Sequence, residues 1–178
     1  MKENPKRVKT PIARLSYPHL FEASKFGKFQ CELIFEQGTD LSSLEEAVEI
    51  AAQEKFGDKA KRPKNLDMPF RDGNVREGEE YAGATFISPK CKDRPGVVMG
   101  PNMDPVTDPG EVYGGCYVRV SVTAFAYDQT GNKGVSFALN NVWKIRDGEP
   151  LGGRVNAMKD FEGDEVDAAA FGNSDELF

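Results

Sequence analysis

The clearest periodic pattern in the chain is an alternation of apolar and other side chains over residues 117–127. Side chains alternate between the two faces of a strand, so one face would carry only small aliphatic residues: Val118, Val120, Val122, Ala124 and Ala126. The opposite face would carry a different set: Tyr117, Arg119, Ser121, Thr123, Phe125 and Tyr127. A turn rich in Gly, Asn and Lys follows at residues 128–134, and a second strand is predicted from Val135 to about Ile145. The pattern predicts a long β-hairpin with one face in the core.

The second face of this first strand is unusual because it holds three aromatic rings and an arginine at positions that are ordinarily only polar. Bases of single-stranded nucleic acid stack on such rings at roughly 1–3 kcal/mol each, and cationic side chains contact the phosphates. The face therefore favours a surface for single-stranded nucleic acid. A strand buried on both faces of a β-sandwich would give the same alternation, so the pattern alone leaves both interpretations open.

One α-helix is predicted over about residues 41–56. Ser42 and Glu45 have the spacing of a capping box, and Gly57 is placed to end the helix. The apolar residues within it recur at helical spacing: Leu41, Leu44, Val48, Ala51 and Phe56. Such a stripe predicts contact with the core.

Shorter strands are predicted at residues 8–17, 28–35, 81–88 and 97–99. Pro11 has no backbone N–H to donate, so the first of these strands is expected at a sheet edge. Residues 57–80 form a long predicted loop in which Lys and Arg outnumber Asp. A loop of this length in a compact domain is usually functional or mobile. It is either a basic flap over nucleic acid or a solvated insertion, and the sequence favours neither.

The distribution of charge matters more than its total. The 178 residues carry a formal net charge of −6, which by itself argues against a protein that binds a polyanion. Seven acidic residues and no Lys or Arg follow residue 159; removing these seven from the 29 acidic residues leaves 22 against 23 Lys and Arg. The remainder of the chain is therefore slightly positive, and the negative excess lies in a C-terminal tail of the kind that makes interactions.

Little in the chain indicates catalysis or a metal site. The three cysteines are widely separated and form no CxxC pair: Cys31, Cys91 and Cys116. With His19 as the single histidine, a zinc site is not expected, and free thiols are. No Gly-rich phosphate motif and no hydrolase motif is present. A magnesium-dependent nuclease is kept as an alternative, with these carboxylates: Asp67, Asp72 and Asp104.

A resemblance to a known family adds to this interpretation. Its most specific segments are GNKG at residues 131–134, LNN at 139–141 and RDGEPLGG at 146–153. From residue 9 onward the chain resembles a phage and prophage family of single-stranded DNA-binding proteins, formerly catalogued as a domain of unknown function. It is more distantly similar to the phage T7 single-stranded DNA-binding protein. The shared features there are LDMPF after a helix, a strand that follows Gly-Gly and has a Tyr near its end, and an acidic tail that closes on Phe.

This resemblance implies a mainly β fold, an OB-fold-like small β-barrel with one inserted α-helix at about residues 41–56. It divides the chain into an OB-fold DNA-binding domain, residues 1–155, and a disordered acidic C-terminal tail, residues 156–178, which ends in Phe178. In the T7-type family the tail occupies the DNA groove until DNA displaces it and then docks on replication proteins.

The resemblance also assigns roles by position. Tyr127 matches the aromatic residue at the end of the T7-type strand, Arg119 a basic residue on the same strand, and Phe86 an aromatic residue on the neighbouring strand. Gln129 stands where the T7-type proteins have a Trp. Trp143 on the second strand is the candidate replacement, although a bulge at Asn140 would decide which face it takes.

Together these arguments predict a phage protein that binds single-stranded DNA without sequence preference and without catalysis, in DNA replication or recombination. The predicted stacking residues are Phe86, Tyr117, Phe125, Tyr127 and Trp143. The predicted phosphate contacts are Lys90, Lys92, Arg94, Arg119 and Lys133. The tail is predicted to mimic a nucleic-acid strand and to dock on partner proteins through Asp160, Phe161, Phe171, Asp175, Glu176 and Phe178.

The expected partners are single-stranded DNA and, through the tail, phage or host replication proteins such as a polymerase, a helicase–primase or a recombinase. A homodimer is also considered. No cofactor, metal or membrane is expected, and the expected location is the cytoplasm of a bacterial host, because the chain has no apolar run of membrane-spanning length and no signal-peptide pattern. The alternative function is a phage protein–protein adaptor or structural β-barrel that does not bind nucleic acid.

Overall fold

The computed structural model describes residues 3–151 and 161–172. The strands in these residues are β1 Arg7–Lys9, β2 Ala13–His19, β3 Phe29–Phe35, β4 Arg71–Asp72, β5 Thr85–Ile87, β6 Lys90–Cys91, β7 Gly96–Met99, β8 Asp104–Pro105, β9 Tyr117–Gln129 and β10 Asn132–Arg146. The α-helix α1 spans Ser42–Phe56. Short 3₁₀ turns lie at Lys59–Lys61, Gly73–Val75, Pro109–Glu111 and Ala168–Phe171. Within this described part of the chain, no helix is long and apolar enough to cross a bilayer.

The strands form one sheet that returns on itself. They hydrogen-bond in the order β1-β9-β2-β3-β6-β10-β7-β8, and β9 also pairs with β10. This last pairing closes β9, β2, β3, β6 and β10 into a ring, with β5 and β4 attached beside β3. The contact between β10 and β6 is narrow, joining Ala138 to Lys90. The predicted class, mainly β with one inserted helix, is confirmed, and the ring is less regular than a fully closed barrel.

The core follows the alternation that the sequence predicts along β9. Val118, Val120 and Val122 are at most 1% exposed. They pack with buried residues of β2, β3 and β10 in a single large cluster, which includes Leu15, Leu33, Phe137 and Leu139. The opposite face of β9 is open to solvent, because Arg119 is exposed and the Phe125 side chain is 44% exposed. The interpretation of β9 as a strand buried on both faces is therefore wrong.

The helix α1 lies where the sequence predicts it, but its N-terminus is capped differently. Its buried face, which includes Leu44, packs mainly against β9. The predicted capping box is wrong, because the Ser42 side chain makes no cap; instead the backbone N–H of Ser42 donates to Asp40 Oδ1 at 3.0 Å. Hydrogen bonds from the Ser42 hydroxyl and then from its backbone N–H lower the pKa of the Asp40 carboxyl. At the C-terminus Gly57 has a φ of 82°, a left-handed value that Gly adopts without steric cost.

The predicted strand at residues 8–17 is in fact two strands, and both pair with β9. Pro11 has no N–H to donate to the ladder of hydrogen bonds, so strand pairing is interrupted between β1 and β2. Thr10 fills the gap: its N–H donates to the Val120 carbonyl at 2.8 Å, and its hydroxyl accepts from the Val120 N–H at 3.1 Å. The break therefore costs few hydrogen bonds.

The predicted strand at residues 81–88 is shorter than expected, since only Thr85–Ile87 is extended and paired. Tyr81 lies in a turn, where its ring is 1% exposed and its hydroxyl donates to Ser16 Oγ at 2.8 Å. Burial raises the pKa of Tyr81 to about 12. An apolar, β-favouring sequence is thus used to pack a turn rather than to extend a strand.

Leu33 lies at the centre of the core and provides a test of it. Its side chain is 0% exposed on β3, which pairs with both β2 and β5 there. We expect Leu33→Ala to lower the free energy of unfolding by about 2–5 kcal/mol, because it removes buried apolar area and leaves a cavity. Urea unfolding measures this. Val75→Ala, at a side chain that is 75% exposed, is the control and should change stability by less than about 0.5 kcal/mol. Equal effects of the two substitutions would contradict this core.

Candidate nucleic-acid interface

A cleft of about 670 Å³ opens on the outer face of the β9–β10 hairpin. The alternation along β9 turns Phe125 and Tyr127 outward here, and the pairing with β10 places Ser136 opposite Phe125 and Gly134 opposite Tyr127. Phe125, Tyr127 and Ser136 all line the cleft. Further lining side chains come from outside the hairpin: Lys28, Asp67, Pro69, Arg71, Ser88, Lys90, Cys91 and Lys92.

The two rings in the cleft form a pair with room for a ligand. Their centroids lie 6.5 Å apart and their planes are tilted by 54°. Phe125 is 44% exposed and Tyr127 is half-buried, so ring surface of both remains open to solvent. Exposed rings on a rigid strand provide the flat apolar surface on which an unpaired base stacks.

Positive charge dominates the walls of the cleft. Four of its lining residues are cationic, Lys28, Arg71, Lys90 and Lys92, whereas Asp67 is the one carboxylate among them. Lys90 and Lys92 are both exposed and lie at β6, beside the β10 face of the cleft. Such an arrangement attracts a polyanion and repels a cationic ligand.

The carboxylate of Asp67 holds two other cleft residues, Arg71 and Tyr127, in place. Its two oxygens accept from Arg71 Nη1 and Nη2 at 2.8 and 3.1 Å, and the Tyr127 hydroxyl donates to Oδ2 at 3.1 Å. Its backbone pairs with β10, because its N–H donates to the Lys133 carbonyl and its carbonyl accepts from the Val135 N–H. A Cβ atom on Gly134 would overlap the Asp67 carbonyl oxygen, so only glycine permits this approach. The hydrogen bonds from Arg71 lower the pKa of the Asp67 carboxyl, whereas partial burial raises the pKa of Tyr127.

The far end of the same face holds two more of the predicted residues. A register shift in β10 after Leu139 places Trp143 opposite Arg119 and on the outer face with it. The Trp143 ring is half-buried, and its Nε1–H donates to the Gly100 carbonyl at 2.9 Å. Arg119 Nε donates to the Thr10 carbonyl at 3.0 Å. Both line a mostly apolar depression of about 520 Å³ with Ile12 and Ile145.

Tyr117 is also on this face, but guanidinium groups already contact its ring. Arg146 Cζ lies 4.1 Å from the ring centroid, and Arg14 Cζ lies 5.9 Å from it. The ring is half-buried as a result. A base could stack on Tyr117 only where these side chains leave ring surface open or move aside.

One predicted stacking residue, Phe86, is contradicted by the structure. Its side chain is 3% exposed, and its ring packs edge-to-face on Tyr81 with centroids 5.4 Å apart. The Arg76 guanidinium lies 5.2 Å from the same ring. The ring lies in a small cluster with Ile34, Tyr81 and Ala84, so the position that matches an aromatic residue of the T7-type strand is covered here.

Besides Arg119, two predicted phosphate contacts lie outside the cleft. The Arg94 guanidinium lies 5.4 Å from the Phe21 ring, in the turn after β6. Lys133, at the hairpin tip, lies 3.9 Å from Asp128, and both side chains are nearly half exposed. Each remains available to a strand that leaves the cleft, but neither lines it.

The long loop at residues 57–80 contributes a wall of the cleft. The sequence does not indicate which residues of the loop lie there. Arg71 belongs to this loop, where the sequence shows only an excess of basic residues. Lys28 also lines the cleft, and the sequence places it only at the start of a predicted strand. Two other cations of the loop are paired away from the cleft, since Arg62 binds Glu49 and Arg76 binds Glu32. The loop is thus neither a free flap nor a simple solvated insertion.

The predicted tail residues are only partly described. Phe161 and Phe171 are 66% and 61% exposed, and all residues from 161 to 172 are exposed. The remaining predicted tail residues lie outside the described residues: Asp160, Asp175, Glu176 and Phe178.

Metal chemistry has no evident site in the part of the chain that the structure describes. There, no three His, Cys, Asp or Glu side chains come together in a way that could hold a metal ion. Of the carboxylates considered for a nuclease, Asp67 is bound to Arg71, and Asp72 accepts from the Asn74 N–H. All three cysteines are free thiols, as predicted.

Comparison with known proteins gives a consistent result. A family model described as Enterobacter phage Enc34, ssDNA-binding protein, matches residues 6–171. A curated relative, putative protein p50 of Acyrthosiphon pisum secondary endosymbiont phage 1, is 33% identical over 174 residues, which cover 88% of this chain and 92% of the relative.

Solved structures share the fold. The single-stranded DNA-binding protein of bacteriophage Enc34, solved in complex with ssDNA, superposes with a TM-score of 0.70 at 24% identity, covering 83% of this chain and 90% of that one. The structure of gp2.5, a single-stranded DNA-binding protein encoded by bacteriophage T7, superposes with a TM-score of 0.57 at 17% identity, covering 85% and 97%. These likenesses confirm the predicted fold class, which is mainly β with one helix and resembles the OB-like fold of phage single-stranded DNA-binding proteins.

The Asp67 network predicts a pH-dependent contribution to stability. Its folded pKa is lowered, so the stabilisation is present above the ordinary carboxyl pKa of about 3.9 and is lost as the pH falls through the lower folded value. We expect Asp67→Asn to cost less than about 1 kcal/mol at pH 7, because the side chain is 41% exposed. At pH 2 the difference in stability between the wild type and the variant should be smaller than at pH 7. Urea unfolding at both pH values, with Asp104→Asn as the control, measures this, and a pH-independent difference would contradict it.

Proposed function

Because the chain belongs to the family of the Enterobacter phage Enc34 ssDNA-binding protein, we propose that it binds single-stranded DNA along the outer face of β9 and β10. The observation that carries this proposal is the cleft in which two solvent-accessible rings lie among four cationic side chains. The proposed role is binding without catalysis, in the replication or recombination of phage DNA.

Base stacking on Phe125 and Tyr127 provides the part of the affinity that does not depend on charge. Every base has an aromatic face, so such stacking is tolerant of sequence. The network around Asp67 fixes the Tyr127 ring before DNA arrives, which lowers the entropy lost on binding. Trp143 and Tyr117 extend the aromatic surface toward the far end of the hairpin, with Tyr117 limited by its guanidinium neighbours.

Phosphate contacts provide the part of the affinity that depends on salt. Lys90 and Lys92 are placed to meet the backbone of a strand whose bases stack on Phe125, with Lys28 and Arg71 beside them. Arg119, Arg94 and Lys133 are further contacts for DNA that extends beyond the cleft. Each neutralised phosphate releases counterions, so binding should weaken steeply as salt rises.

The C-terminal tail is proposed to compete with DNA for this face. Its aromatic rings, Phe161 and Phe171 among them, would take the place of bases, and its carboxylates would take the place of phosphates. The tail is negative and the cleft is positive, so the two are complementary in charge. When DNA displaces the tail, the tail would become available to phage or host replication proteins, in the same chain or within a homodimer.

Two substitutions in the cleft test the stacking. We expect Phe125→Ala and Tyr127→Ala each to weaken binding to oligo-dT by about 1–3 kcal/mol, because each removes a surface on which a base stacks. The slope of log affinity against log salt should stay unchanged, since no cation is lost. Fluorescence titration with oligo-dT over a salt series measures both quantities.

The control is Phe26→Ala, which removes a ring that is 73% exposed and does not line the cleft. It should bind as the wild type does. Comparable affinity for poly-dT and poly-dA, with weaker binding of duplex, is expected of the wild type. Preference for duplex, or full affinity in both cleft variants, would contradict the proposal.

Removing the tail tests the competition. We expect a chain that ends at Lys159 to bind oligo-dT more tightly than the full chain, with the largest gain at low salt, because charge attraction between tail and cleft is screened by salt. The same titration measures the gain. As a control, neutralising the tail acids without shortening the chain should give a similar gain. Equal affinity of the full and shortened chains would leave the tail without a role in DNA binding.

A further inference from the structure

The short strand β1 places two cations on the same face as the cleft. β1 is antiparallel to β9, with Arg7 opposite Thr123 and Lys9 opposite Ser121. Side chains directly opposite each other in such a pair lie on the same face of the sheet. Val8 between them packs against the core instead, and both Arg7 and Lys9 are exposed.

The register extends this face in a row across four strands. Thr123 on β9 pairs with Ala138 on β10, and Ala138 pairs with Lys90 on β6. Arg7 and Lys90 therefore flank a strip of small and polar side chains, one from each side. None of the residues that make up this row is acidic: Arg7, Thr123, Ala138 and Lys90.

The strip connects the cleft with the depression around Trp143. Its β9 residues are Thr123 and Ser121, which lie between Phe125 at one end and Arg119 at the other. Asn140 on β10 is bonded to this strip, since its Nδ2 donates to Thr123 Oγ1 at 2.9 Å. From Tyr127 to Arg119 the strand extends about 27 Å, which exceeds the reach of the cleft alone.

We propose that Arg7 and Lys9, here called the cationic edge, contact phosphates of the same DNA strand that enters the cleft. The strand then runs from Phe125 along the outer face of β9 to Trp143, with its backbone between the cationic edge and Lys90. The two cations lie about 7 Å apart along β1, so each meets a separate phosphate. This inference rests on the proposed function and assigns DNA contacts to the N-terminal strand.

The neighbouring Lys6 provides a matched control. It is adjacent in sequence to Arg7 and carries the same charge, but its Nζ lies 2.8 Å from Glu54 on α1, away from the strip. Neutralising Lys6 changes the net charge as much as neutralising Arg7 does. If the cationic edge contacts DNA, neutralising Arg7 should lower the affinity more than neutralising Lys6 does.

The experiment measures binding of two oligo-dT lengths by Arg7→Gln/Lys9→Gln, Lys6→Gln and the wild type, all as full chains. Site sizes for such folds are about 4–16 nucleotides, so an oligonucleotide of about 15 spans both the cleft and the cationic edge. A dinucleotide, with one base for each of Phe125 and Tyr127, is the short ligand that stays within the cleft. Two lost phosphate contacts lower the salt slope by about 1.4 for the long oligonucleotide. The ratio of wild-type to variant affinity should thus fall about sevenfold between 50 and 200 mM salt.

We expect this change only for the double variant and only with the long oligonucleotide. An unchanged slope in the double variant, the same change in Lys6→Gln, or the same change with the short oligonucleotide would each overturn the cationic edge. Thermal unfolding midpoints of the variants confirm that folding is intact. A wild type that binds neither oligonucleotide would overturn the proposed function itself, whereas wild-type binding that the double variant keeps in full overturns this inference alone.

Discussion

The register between β9 and β10 is the constraint on which the rest of the structure depends. Thirteen residue pairs join the two strands. They fix Val118, Val120 and Val122 in the core and, by alternation, turn Phe125 and Tyr127 outward. A slip of one residue would bury the rings and expose the valines. The burial that holds the fold together thus also presents the face that we propose binds DNA, so stability and function are set by the same pairing.

Electrostatics explains how a chain with a net charge of −6 can present a face for a polyanion. The acidic excess lies in the tail, whereas the cleft gathers Lys28, Arg71, Lys90 and Lys92 around a single carboxylate. That carboxylate, Asp67, accepts hydrogen bonds from Arg71 and from the Tyr127 hydroxyl, and it thereby fixes both side chains in the cleft. A positive cleft and a negative tail in one molecule suit a ligand that must bind tightly yet be displaced.

The sequence was informative wherever one residue period dominated. The alternation in β9 predicted the core face and the outward rings, and the helical stripe predicted α1 within a residue or two. It left open or missed what a single local interaction decides. The sequence leaves open which face Trp143 takes, and the bulge at Asn140 turns it outward. Phe86 was expected to be exposed, but Tyr81 and the Arg76 guanidinium lie against its ring. Tyr81 packs a turn although its neighbours favour a strand. Arg71 and Lys28 reach the cleft through tertiary contacts that have no periodic signal.

The central claim is that single-stranded DNA lies on the outer face of the hairpin. Ultraviolet cross-linking of oligo-dT to the full chain, followed by mass spectrometry of the cross-linked peptides, tests this most directly. The account predicts cross-links concentrated in β9 and β10, at Phe125 and Tyr127 above all. Cross-links confined to α1 or to the loop after it, with none in the hairpin, would contradict it.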